Sequence, residues 1–181
     1  MNRTVSFALF ALALSIPGLA SAQRTERPVY VGGAAGAAIE LDRYPTQGVV
    51  IEEIGWHFLG TTDGPFVGLT LAEGFGNDVF TFQATPRFGW DISLLRGDVG
   101  VLLAPSAAVG VAVAAVTVNT GFGSASGSQA FFDAQGAIDV RFLLLEDQLG
   151  LFIRPVAVDV FIHENGAAVR WNALAGAAYH F

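Results

Sequence analysis

Seven ionisable side chains, most of them set between apolar neighbours, are the first residues in this chain that could do chemistry: Glu53, His57, Arg87, Asp91, Asp139, Arg141 and Arg154. Guanidinium and carboxylate groups in a confined place form short, forked ion pairs. A histidine beside a carboxylate can also pass a proton near neutral pH. That set allows three uses. It can be a salt-bridged plug that fixes the shape of a core, a path for water or ions, or a catalytic constellation. The plug needs nothing beyond charge balance and is the expected use.

Other chemistry is limited by what the chain carries. With no cysteine, thiolate catalysis, cysteine metal sites and disulfides are excluded. The histidines are His57, His163 and His180, too scattered to make a metal site by spacing. His57 is followed by Phe58 and Leu59, and no His-x-Ser motif of an acyl hydrolase occurs. Gly121-Phe122-Gly123 follows a valine-rich strand pattern and opens no helix, so it is not a phosphate loop. No catalytic residue, metal ligand or cofactor is therefore expected. The nine basic residues, all arginine, face sixteen acidic ones, and the net charge of −7 argues against a nucleic-acid partner. An all-arginine complement suits ion pairing in confined places, and a GC-rich codon bias would give the same result.

The elements that must hold these groups are strands. From Val79 to Leu94 the residues Phe80, Phe82, Ala84, Pro86, Phe88, Trp90, Ile92 and Leu94 alternate with Thr81, Gln83, Thr85, Arg87, Gly89, Asp91 and Ser93. A period of two means two faces meeting different surroundings. The same pattern predicts strands over 29–41, 48–60, 66–73, 99–118, 130–144, 149–162 and 168–181, eight in all. Val99 to Val118 holds twenty residues without a charge and rivals a membrane helix. Pro105, Gly100, Gly110 and the Val-x-Val-x-Val run at 109–113 favour a strand instead, with a bulge where the phase changes at Ala114-Ala115. Thr61–Gly64, Leu95–Gly97 and Glu146–Gln148 read as tight turns. Asp42–Gln47, Gly74–Asp78, Asn119–Gln129 and His163–Ala167 read as longer loops, the third a mobile Gly/Ser-rich one. Glu52 beside Glu53 breaks the pattern: either a bulge turns both inward, or the strand stands higher than its neighbours suggest.

Composition says where the apolar faces go. The chain is 52% hydrophobic and only 14% charged, against about 25% charged in an ordinary soluble domain. Arg3, the apolar run Phe7–Ile16 and Ala20-Ser21-Ala22 make a secretory signal peptide over residues 1–22, cleaved before Gln23. The mature portion, 23–181, is one domain with eight arginines against sixteen acids, a charge of −8. Aromatics sort into two bands: Tyr30, Trp56, Phe58, Trp90, Phe142, Tyr179 and Phe181 at one end, and Tyr44, Phe75, Phe80, Phe161 and Trp171 at the other. Such bands are what headgroup interfaces select.

The signal peptide, the eight alternating segments and the terminal Tyr179-x-Phe181 together resemble the small eight-stranded Gram-negative outer-membrane barrels typified by OmpX and the membrane domain of OmpA. The resemblance covers the whole of 23–181. It implies an all-β, eight-stranded antiparallel up-and-down transmembrane barrel, monomeric, non-enzymatic and embedded in outer-membrane lipid. It also implies that Trp171, Tyr179 and Phe181 in the last strand help the assembly machinery recognise its client. Eight strands enclose room only for their own side chains, so the seven charged residues are expected inside, with Glu53, Arg87, Asp139 and Arg154 at one depth. A lipid A-modifying enzyme and a narrow pore are the rival functions, and the outer loops suggest no particular ligand.

Overall fold

A computed structural model describes residues 27–40, 46–76, 78–120, 123–164 and 166–181. The signal peptide read over 1–22, and Tyr44, lie outside the described residues. Eight strands succeed one another: β1 (Val29–Glu40), β2 (Gln47–His57), β3 (Gly64–Phe75), β4 (Val79–Leu95), β5 (Gly100–Thr120), β6 (Gly123–Leu144), β7 (Leu149–His163) and β8 (Gly166–His180). Each pairs antiparallel with the next, and β8 pairs with β1, so the sheet closes into a barrel.

Register fixes the shape. From Val29 the paired residues run Trp56, Val67, Phe88, Ala107, Gly136, Val158, Trp171 and back to Ile39, ten positions further along β1. A stagger of ten over eight strands tilts them about 40° from the axis, so each residue climbs about 2.5 Å and each step to the next strand about 3 Å. On that scale Trp56, Trp90, Phe142 and Tyr179 share one level. Phe75, Phe82, Phe132 and Trp171 share another, roughly 20–25 Å above, the height of an apolar belt. Between the levels the outward side chains are Val, Leu, Ile, Phe, Pro, Ala and Gly, with Glu52 and Glu73 the only charges among the described residues.

Four expectations change. Residues 119–129 are not a loop: β5 and β6 stay paired up to Thr120↔Gly123, and the outer connections shrink to 76–78, 121–122 and 164–165. Gly and Ser there do not break a ladder whose two strands are long enough to hold each other. Pairing is continuous through Ala114-Ala115, whereas register shifts occur at Ser93/Leu95, Ile138/Val140 and Arg154/Ala157. No bulge turns Glu52 inward: β2 pairs without a break, Glu53 is buried and Glu52 faces out. Tyr30 and Phe161 leave the outer bands and point into the barrel at 1% and 7% exposure. Tyr30 fills a space kept open by Gly55, where a Cβ would collide with its ring.

Candidate functional site

The barrel interior is stacked in layers, and all seven charged residues expected inside lie in it, buried. The middle layer joins four strands. Arg87 on β4 donates from Nη1 to Glu53 Oε2 on β2 at 3.0 Å, and from Nη2 to Asp139 Oδ2 on β6 at 2.7 Å. Arg154 on β7 closes the square, donating from Nη2 to Glu53 Oε2 at 3.1 Å and from Nε to Asp139 Oδ1 at 2.6 Å. Those four residues sit at one depth because their strand positions, corrected for the stagger, coincide. Arg87 Nε also reaches Ser106 Oγ at 2.9 Å, which anchors the guanidinium to β5.

Below it lies an aromatic and ionic floor. Arg141 donates to Asp91 Oδ2 at 2.9 Å and to Asp139 Oδ2 at 3.3 Å, linking floor to middle. His57 Nε2 donates to the same Asp91 oxygen at 2.8 Å. Tyr30, Phe66 and His180 pack around them: Arg141 lies 4.9 Å from the Phe66 ring centre, and Tyr30 lies 5.7 Å from His180. The floor and middle balance three arginines against three carboxylates.

The upper layer adds charged residues outside the expected seven, of which Asp133 and Arg170 follow the alternation of their strands and Asp159 does not. Arg170 donates to Asp159 Oδ2 at 2.6 Å and to Gln83 Oε1 at 2.5 Å. Asn172 and Gln135 donate to Asp159 at 2.8 and 2.5 Å, and Gln83 donates to Asp133 Oδ2 at 2.8 Å. Arg170 stacks over Phe161 at 4.9 Å. Asp159 faces inward because Pro155 has no N–H to give the ladder, and the break between Arg154 and Ala157 shifts β7 by one residue. Strict alternation from Arg154 would have turned Asp159 out. A count of prolines in strands was the available signal.

Chemically the arrangement is a core. Between the middle and upper layers a cavity of about 10 Å³, lined by Thr70, Gln83, Thr85, Arg154 and Asn172 among others, has room for about one water. Among the described residues no group of three or more His, Cys, Asp or Glu is arranged to hold a metal ion. His57 and His180 belong to the floor, and His163 lies 5.8 Å from Phe131 at the outer end. Of the proposed assembly residues, Tyr179 and Phe181 stack at 4.9 Å on the outside of the lower band, and Trp171 faces out at the upper one.

No protein-family model and no curated protein matches the sequence. Solved structures do match. The crystal structure of Neisserial surface protein A superposes with a TM-score of 0.61 at 11% identity, covering 84% of this chain and 96% of that one. The N-terminal β-barrel domain of Pseudomonas aeruginosa OprF gives 0.53 at 19% identity, with 84% and 97% covered. Identities this low speak for fold alone. Closed topology, eight strands and these neighbours define the class: a small closed eight-stranded antiparallel barrel that shares its fold with these two proteins.

Proposed function

We propose that the chain is a non-enzymatic integral protein of the bacterial outer membrane, a sealed barrel that holds its outer hairpins for contact with partners. One observation carries the reading: the wall is apolar outside and charged inside, the reverse of a soluble protein, and the charges close on one another instead of lining a channel. Hydrocarbon suits the outer face, and the two aromatic levels match its interfaces. Export by the segment 1–22, with cleavage before Gln23, fits the same location. Trp171, Tyr179 and Phe181 would serve assembly, and Phe181→Ala should lower the inserted fraction in cells without altering the refolded barrel.

Partner contact falls to the β5–β6 hairpin, whose strands of 21 and 22 residues outrun the rest. Pairing of β6 with β7 stops at Phe132↔Ile162, so β6 continues above with an open edge. Thr117 N–H bonds Asp78 on the β4 side, so its partner Ser126, with Ser128 and Ala130, turns its own backbone groups to that edge. The test is direct. Unboiled protein should migrate apart from boiled protein on SDS gels, and planar bilayers should show no discrete conductance steps. Incubation with lipid A should leave acylation unchanged, with or without His163→Ala. Recovery in the aqueous fraction without detergent would overturn the reading.

A further inference from the structure

Of the two outward charges, Glu73 lies close to the upper aromatic level, and Glu52 is the one that the proposed function leaves unexplained. It faces out from the middle of β2, two residues from Ile54 and two from Val50, both well exposed. On the barrel's stagger it lies about 10 Å above Trp56, near mid-depth of the belt. A carboxyl group there meets neither water nor headgroup.

Its surroundings are lopsided. Toward β1 and β8 the outward residues at mid-depth are small: Gly33 lies beside Glu52, and Gly33, Ala35 and Ala37 pair with Ala177, Ala175 and Ala173, between Val31 and Tyr179 below and Ile39 and Trp171 above. Toward β3 they are bulky, with Leu69 beside Ile54, Leu71 beside Glu52 and, one step higher toward the upper level, Glu73 beside Val50. The remaining strands carry no comparable run of small side chains on both members of a pair. One flank is a flat, and the other is a ridge at the same depth.

From this we infer that the face centred on β2 is an interface between two copies of the chain, related by a two-fold axis along the membrane normal beside Glu52. A closed pair of copies inserted in the same sense and using the same face on both needs such an axis, so every residue meets its counterpart's level. Across it, each copy's left flank faces the other's right. The Leu69–Leu71 ridge of one copy then seats on the Gly33–Ala35–Ala175 flat of its partner. Glu52 meets the partner's Glu52, and each carboxylic acid donates to the other's carbonyl oxygen, which removes a bare polar group from hydrocarbon. The inference rests on the membrane reading and replaces the expectation of a monomer.

The chain has no cysteine, so one introduced thiol reports on the contact. Ile54→Cys next to the axis and Val109→Cys on the opposite wall would be refolded as full chains into phosphatidylcholine vesicles at low protein-to-lipid ratio and oxidised. Ile54→Cys should form the covalent dimer several-fold more than Val109→Cys. Adding Glu52→Gln, which keeps a donor and an acceptor, should preserve that excess, whereas Glu52→Leu and Ala175→Trp should each abolish it. The heat-modified gel band of each variant shows that the barrel is intact. Equal cross-linking at the two sites in vesicle-bound protein overturns the pairing alone. An excess that survives Glu52→Leu overturns the role of Glu52. Protein that never partitions into vesicles overturns the membrane reading and the pairing with it.

Discussion

The middle and upper layers of the interior are built from the same residue types and solve their charge balance differently. In the middle, Asp139 takes hydrogen bonds from Arg87, Arg141 and Arg154, and Glu53 from two of them. In the upper layer one arginine, Arg170, serves Asp159, while Asp133 has only the Gln83 amide and a second oxygen with no partner. Charges that brace four strands at once cannot be removed singly without stranding the others. A carboxyl held by one neutral amide can be. The layers should therefore differ in what they tolerate, even at equal burial.

Three substitutions test that contrast, by urea unfolding in lipid vesicles followed on gels. Asp139→Ala leaves three buried guanidiniums to share the two carboxylates of Glu53 and Asp91 and should destabilise the barrel by about 3–5 kcal/mol; a loss under about 1 kcal/mol would dissolve the distinction. Arg170→Met leaves Asp159 with amide donors from Gln135 and Asn172, so about 2–3 kcal/mol is expected. Asp133→Asn keeps shape and removes a charge that has no direct ion pair, so stability should change by less than about 1 kcal/mol, or rise. An Asp133→Asn loss as large as that of Asp139→Ala would show that the layers work alike.

The same contrast explains what could be read in advance. Alternation alone placed Glu53, Arg87, Asp139 and Arg154 inward, and a fixed stagger brought them to one depth, because no irregularity intervenes along β2 or β4 at that height. Asp159 escaped because the Pro155 shift reverses which residues of β7 point in. The same shift turns Phe161 inward, against its place in the alternation. Tyr30 sits in a strand so rich in Gly and Ala that neither face declares itself, and its position depends on Gly55 in the next strand. The hairpin at 119–129 was hidden by composition: serine and glycine look like a loop until two such runs face each other. Glu52 could be seen as an anomaly but not resolved, since only pairing with β1 and β3 shows an unbroken register.

Closure of the ring, through the pairing of β8 with β1 between Tyr30↔His180 and Glu40↔Arg170, also governs how the wall can form. Any incomplete arc ends in two rows of unpaired backbone N–H and C=O groups, and in the membrane proposed for this barrel hydrocarbon offers no substitute. Seven strands in place are therefore worse off than their share of the final contacts would suggest. Completion is all-or-none, and the first strand must wait beside a gap until the last arrives to fill it.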